Sequence, residues 1–262
     1  MYRQFSISPN KLTGATMSNW VQGKITEINW WTDKLFTIRV KAKLQPFKAG
    51  QFTKLALIVG DKRIARAYSF VNSPNDPFYE FYCIEVENGQ LTSALASLHV
   101  GNEIWLDEEP SGFFTLDEIP NAEQLWMLST GTAIGPFLSM LQDGDMWNRF
   151  SHVILVHGVR YAIDLTYQTL IESIQANQAG FSYVPVVSRE MCIKGLEGRI
   201  TKVLDEGTLE HFVGSSFHPN KSQFMICGNP QMVKDTTALL ESLGFSRNRR
   251  ASPGHITVEQ YW

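Results

Sequence analysis

The hydrophobic pattern of this chain changes character near residues 117–123, and few folds tolerate such a change. From Trp20 to about Glu109 the sequence is built of short β-like runs. These are VQGKITEI, KLFTIRVKA, QFTKLALIV, RAYSFVN, YEFYCIEVE and, after a break, NEIWLDE. Gly50, Gly60-Asp61, the stretch Ser73 to Pro77, and Asn88-Gly89 separate them, and Gly, Pro, Asn and Asp supply the backbone angles and local bonds of tight turns. About six strands at this spacing predict an antiparallel Greek-key barrel or sandwich. One helix interrupts them, in residues 91–100, where Leu91, Leu95 and Leu98 recur at helical spacing. From Gln124 the apolar runs LWMLS, HVILVHG, FSYVPVVS and QFMICG alternate with longer helical segments, and HITVEQYW ends the chain. Alternating strands and helices predict βαβ units, hence a parallel sheet covered on both faces.

At 262 residues the chain is long for one core and comfortable for two. The expected division is an antiparallel β-barrel over residues 17–117 and an α/β doubly wound parallel sheet over residues 118–262. Residues 1–16 contain no acid and two basic residues but lack the arginine density of a transit peptide. They are expected to be an extension without a function of their own. A formal charge of −3 offers no basic face for nucleic acid, and no run approaches the ~20 apolar residues of a membrane span. Cys83, Cys192 and Cys227 are scattered without a CxxC, which argues against a disulfide framework and fits a cytoplasmic, reducing environment. The histidines show no metal spacing: His152 and His157, five apart in a strand, face opposite ways, so no metal is expected.

Chemistry concentrates at the strand ends. LWMLSTGTAIGPFLSMLQ carries a strand through a small-residue turn into a helix with proline in its first turn, where the missing N–H costs nothing. Amide groups exposed there suit an anion, although the stretch is neither GxGxxG nor a P-loop and reads equally as a tight turn. The next strands run into Val159-Arg160-Tyr161 and Ser188-Arg189, and Arg199 follows soon after. Three arginines on the ligand-binding edge of a doubly wound sheet favour a 2′-phosphate, hence NADP over NAD. Asp164 reads as the N-cap of the following helix. In CGNPQMV, Gly228 permits close ligand approach, Asn229-Pro230 begins a helix, and Cys227 reads as a small core hydrophobe. In RAYSFVNSP, alternation sends Arg66 and Tyr68 to one face and Ala67 and Ser69 to the other. That suits an aromatic ligand with a phosphate tail, or a half-buried edge with a snorkelling arginine.

Taken in order, RAYSFVNSP, STGTAIGPFL, VVSRE, CGNPQMV and VEQYW resemble the ferredoxin–NADP reductase family, and the bacterial ferredoxin/flavodoxin–NADP reductases in particular, from Trp20 to Trp262. The resemblance implies FAD held mainly by the barrel and NADPH or NADP held by the parallel sheet. Arg66 would then meet the flavin-nucleotide phosphates, with Ala67 beside it, while Tyr68 lies against the isoalloxazine and Ser69 approaches its N5. Ile84 and Glu85 would contribute backbone groups, and Gln90, Leu91 and Thr92 a phosphate-binding helix start. Thr132 would stand between flavin and nicotinamide, and Tyr261 and Trp262 would return to the flavin face. Val159, Arg160, Ser188, Arg189 and Arg199 would surround the 2′-phosphate, and Gly228, Asn229 and Pro230 the nicotinamide. Tyr68, Ser69 and Trp262 are the implied catalytic residues. The implied reaction passes hydride from NADPH to FAD and then single electrons to ferredoxin or flavodoxin. A small acceptor (free flavin, a quinone or a ferric chelate) is the alternative. The protein is expected to be a monomer, with Arg247, Arg249 and Arg250 a candidate docking patch for an acidic partner.

Overall fold

The computed structural model describes residues 19–260. The expectations placed on residues 1–16, on Tyr261 and on Trp262 lie outside the described residues. Six strands form the first sheet: β1 (Trp20–Trp30), β2 (Leu35–Lys41), β3 (Phe52–Val59), β4 (Lys62–Ser69), β5 (Tyr79–Ile84) and β6 (Glu103–Asp107). All neighbours are antiparallel, in the order β4-β3-β6-β1-β2-β5, with β6 returning between β1 and β3 as Greek-key connectivity requires. The sheet curls until its ends meet. Phe70, just past β4, bridges Phe81 of β5, and the Val71 amide donates to the Glu80 carbonyl at 3.0 Å. Gly60 makes the β3–β4 turn possible: its φ of +61° is the left-handed value needed at the first central position of a two-residue hairpin.

Phe36, Ile38, Leu55, Phe70, Phe81, Ile104 and Leu106 fill the barrel. Its end is plugged by α1 (Gln90–Ala96), whose Leu91 and Leu95 face inward. The helix is shorter than its leucine spacing predicts. It closes at Ser97, and the chain turns through Gly101 (φ +95°) while the Asn102 side chain accepts from the His99 amide.

The second sheet is wholly parallel. Its strands are β7 (Gln124–Thr130), β8 (His152–Val159), β9 (Phe181–Val187), β10 (Leu196–Glu197), β11 (Ser222–Gly228) and β12 (Ile256–Gln260), ordered β10-β9-β8-β7-β11-β12. Helices α2 (Gly135–Asp143) and α3 (Gln168–Asn177) cover one face; α4 (Ile200–Asp205), α5 (Thr208–Val213) and α6 (Pro230–Ser242) belong to the other. Successive residues of β7 feed opposite cores, Leu125 and Met127 toward α2 and α3, Trp126 and Leu128 toward α4 and α6. Burial on both faces is why the strand reads as an unbroken apolar run.

The α2–α3 face also packs against the barrel. Leu35, Val71, Tyr82 and Phe114 join its core, so the two halves share one hydrophobic interface. Polar bonds fix their relative position. Ser139 and Gln142 of α2 donate to the carbonyls of Asn72 (2.7 Å) and Val71 (2.8 Å). Beside α3, the Tyr167 hydroxyl donates to Glu80 at 3.0 Å and lies 2.7 Å from the Thr37 hydroxyl. Tyr167 takes a φ of +59°, a left-handed conformation uncommon for a residue with a bulky side chain.

Candidate functional site

Strand order reverses between β7, whose chain continues to β8, and β11 on its other side. Open α/β sheets bind ligands at such a switch point, beyond the carboxyl ends of the strands. Here β7 ends at Thr130 and passes through a 3-10 helix, Gly131–Ile134, directly into α2. Gly131 takes φ +56°, and Pro136 lies in the first turn of α2, as the sequence predicts. Thr132 is half-buried on this 3-10 helix, which packs against both β5 and β11.

Gly228 ends β11 with φ +146°. A Cβ there would stand 2.1 Å from Thr130 Oγ1. The close approach that this glycine allows is therefore between two strand ends, a tighter constraint than the ligand approach read from sequence. It lets the Asn229 amide donate to Thr130 Oγ1 at 3.0 Å. The Asn229 side chain then caps α6, accepting from the amides of Gln231 and Met232, and Pro230 opens the helix.

Glu259 lies next to this junction and escaped the sequence reading as a site residue. It pairs with Cys227 across β11 and β12, its carboxylate 3.9 Å from Cys227 Sγ. Burial pushes its carboxyl up to about 7. Pairing the final VEQ with ICG in parallel register would have shown an acid beside Cys227. The thiol itself is completely buried and, chiefly by that burial, raised well above its ordinary value, so it stays protonated as the core reading expects.

At the far edge the β8–β9 ladder runs past the strands. The Ser188 amide and hydroxyl both reach the carbonyl of Val159 (3.1 and 3.2 Å), and the Arg189 amide donates to Arg160 O at 3.0 Å. The Gly198 amide donates to Val187 O at 2.8 Å, which ties down the loop leading to Arg199. Arg160, Arg189 and Arg199 thus come to one sheet edge, all exposed, and none is ion-paired among the described residues. The Arg189 guanidinium sits 5.9 Å from the Tyr161 ring centroid. Asp164 does not cap the following helix. It ends a 3-10 turn, Ala162–Asp164, and accepts from the Tyr161 amide at 3.4 Å, while α3 begins only at Gln168 after left-handed Tyr167.

On the barrel, Arg66 and Ala67 are exposed while Tyr68 and Ser69 are both buried, so burial does not follow the expected alternation. Every residue from Tyr68 to Ser73 is buried, Tyr68 and Phe70 in the barrel core, and beyond β4 the chain runs against α2, where Gln142 and Ser139 bind the carbonyls of Val71 and Asn72. Tyr68 belongs to the barrel core, opposite Thr53. Ile84 is 40% exposed at the end of β5, and Glu85 follows, its amide donating to Lys34 O. Gln90 opens α1 and is exposed. Leu91 is turned into the core, so it can offer a ligand only backbone, and Thr92 Oγ1 accepts from the Val86 amide at 3.2 Å.

The docking patch carries less charge than its sequence suggests. Arg250 forms two bonds to the Glu118 carboxylate and lies 4.0 Å from the Phe113 ring centroid, and Arg247 pairs with Glu241. A cleft of about 420 Å³ bordered by Glu27, Trp31, Arg39, Glu80 and Tyr167 contains none of the site residues read from the sequence. Among the described residues, no three His, Cys, Asp or Glu side chains cluster as metal ligands, and no helix is long and apolar enough to cross a membrane.

Residues 127–238 match the family model of the oxidoreductase NAD-binding domain. Over 248 residues the chain is 47% identical to a flavodoxin/ferredoxin–NADP reductase of Escherichia coli, covering 94% of this chain and 100% of that one. A ferredoxin–NADP reductase of Pseudomonas aeruginosa is 34% identical over 257 residues, covering 93% of this chain and 98% of its own. The solved structure of a ferredoxin NADP+ reductase from Neisseria gonorrhoeae, with bound FAD and NADP, matches with a TM-score of 0.88 at 32% identity, over 94% of this chain and 100% of that one. A barrel joined to a parallel sheet at its switch point, in a chain this similar to those enzymes over nearly its whole length, belongs to the flavodoxin/ferredoxin–NADP reductase family.

Proposed function

We propose that this protein is an FAD-dependent reductase that draws hydride from NADPH and delivers single electrons to a flavodoxin or ferredoxin. The observation that carries the reading is the junction itself: β5 and the chain leaving β4 meet the switch-point turn and α2 of a sheet whose far edge presents three exposed arginines. Together the two cofactors supply hydride acceptance and the splitting of an electron pair, and the protein supplies binding and orientation.

In this reading residues 17–117 hold FAD. Arg66 and Ala67 offer an exposed cation and backbone to its phosphates. Tyr68 and Ser69, at the end of β4, set one wall for the flavin. Ile84, Glu85, Gln90, Leu91 and Thr92 line the remainder through the β5 end and the start of α1. Residues 118–262 hold NADPH. Arg160, Arg189 and Arg199 grip the 2′-phosphate, with Val159 and Ser188 fixing their spacing. Thr132, Gly228, Asn229 and Pro230 line the switch point. Glu259 holds a proton near neutral pH beside this junction. One chain completes both halves of the site, which supports a working monomer, and three buried free cysteines support a cytoplasmic setting.

Anaerobic titration with NADPH and then NADH, followed in the flavin absorption band, tests the reading. NADPH should bleach the protein at much lower concentration than NADH, and Arg189→Ala should erase most of that preference. An equal response of the intact protein to both nucleotides would refute the arginine assignment. Turnover with flavodoxin and ferredoxin should exceed turnover with free FMN.

A further inference from the structure

His157 is fully buried at the carboxyl end of β8, yet neither the reaction nor the packing accounts for it. Its Nε2 lies 3.1 Å from the carbonyl oxygen of Gly131 and its Nδ1 lies 3.4 Å from the Tyr183 hydroxyl. The neighbouring bonds fix which nitrogen carries the proton. A carbonyl only accepts, so Nε2 must be the donor. Gln168 Nε2 donates to the Tyr183 oxygen at 3.1 Å, leaving the Tyr183 proton to go to Nδ1. The same Gln168 amide donates to Thr166 O at 3.3 Å, and the Thr166 hydroxyl donates to Tyr82 of the barrel at 2.8 Å. Every proton along this buried path has a place only if His157 is neutral and protonated on Nε2. Burial also lowers the imidazole to about 4, which keeps it uncharged in the same tautomer at neutral pH.

The consequence falls on the switch point. Gly131 opens the 3-10 helix before α2 in a left-handed conformation, and a Cβ there would meet nothing within 4 Å. Packing around its α-carbon therefore does not hold the turn. In a planar trans peptide the carbonyl and the following N–H point in opposite directions. Pinning Gly131 O on a buried ring therefore fixes the direction of the Thr132 amide, away from that ring.

We propose that His157 is a positioning residue for the nicotinamide nucleotide: its Nε2–H holds the Gly131 carbonyl, which orients the Thr132 peptide at the switch point. Tyr183 acts with it by holding Nδ1 as the acceptor. The proposal rests on the NADPH reading above, and the tests separate the two.

In the FAD-loaded enzyme, His157→Leu should raise the NADP+ dissociation constant and the NADPH KM about tenfold, the effect of taking the imidazole hydrogen bond from the half-buried Gly131 carbonyl. FAD content should remain that of the parent. His157→Gln, which returns an N–H near Nε2, should bind NADP+ within about threefold of the parent. Unchanged NADP+ affinity in an FAD-loaded His157→Leu protein would overturn the proposal, as would His157→Gln binding no better than His157→Leu. If His157→Leu fails to retain FAD, Tyr183→Phe decides: a weakening of about threefold supports the proposal, and parental affinity overturns it. Imidazole ¹⁵N NMR of the parent holoenzyme at neutral pH needs no nucleotide. It should show His157 as the Nε2–H tautomer, and an Nδ1–H or charged ring would refute the assignment even if NADPH proves to be the substrate.

Discussion

Replacing Glu259 by glutamine should remove a pH dependence of stability that the parent protein carries. Burial lifts this carboxyl from an ordinary 4.5 to about 7. The unfolded chain therefore releases the proton near pH 4.5, while the native protein keeps it until about 7. Between those values the native state binds more protons, so stability falls as pH rises. At 1.36 kcal/mol per pH unit, the full cost is about 3 kcal/mol and is present above pH ~7.5. Glutamine keeps the shape and cannot ionise, so it escapes the cost. Urea unfolding of FAD-loaded parent and Glu259→Gln proteins at pH 5 and pH 8 measures this. From pH 5 to pH 8 the parent should lose roughly 2–3 kcal/mol more than the variant, part of the cost being already incurred at pH 5, and at pH 8 the variant should be the more stable protein. The Cys227 thiol, held well above its ordinary value, does not titrate in that interval. Parallel pH profiles for the two proteins would show that Glu259 ionises freely and that its burial beside Cys227 has no energetic consequence.

Two further outcomes follow from local geometry. Gly228→Ala forces a Cβ to within 2.1 Å of Thr130 Oγ1 at a φ of +146°, so the strand ends must separate and the Asn229 bond is lost. We expect a loss of about 3 kcal/mol from strain and the broken bond, visible as a lower urea midpoint. A midpoint unchanged from the parent would contradict this. Tyr167→Phe deletes the hydroxyl that ties the start of α3 to Thr37 and Glu80 of the barrel, leaving two buried polar groups short of a partner. It should destabilise the protein by about 1–3 kcal/mol, and a change below about 0.5 kcal/mol would mean that water replaces the hydroxyl.

Much of the architecture is legible in one dimension because it rests on local period and turn chemistry. Strand alternation, the Gly60-Asp61 hairpin, the proline-opened helices and the apolar runs of a sheet buried twice are all properties of a few consecutive residues. Errors arose where a distant element took over. Asp164 has the chemistry of an N-cap, but the chain needs a further turn, through left-handed Tyr167, before α3 can start against the barrel. Tyr68 and Ser69 look like opposite faces of an edge strand, yet both are buried, Tyr68 within the barrel core, and the chain just beyond them is bound by α2. The Arg247–Arg250 cluster reads as bare charge until Glu118 and Glu241, remote or local in sequence, reach it.

Sequence alone indicated a barrel followed by a parallel sheet, pointed to the strand ends as the place for chemistry, and singled out three arginines as candidates for a 2′-phosphate. Tertiary structure decided that those arginines share an edge, that burial beside Cys227 lifts the Glu259 carboxyl toward neutral pH, and that buried His157 reaches back to the Gly131 turn. Local pattern records which face of an element is apolar, because that depends on neighbours three or four residues away at most. Burial of a charge and the direction of a hydrogen bond depend on which distant strands the sheet places side by side, and no short stretch of chain contains that information.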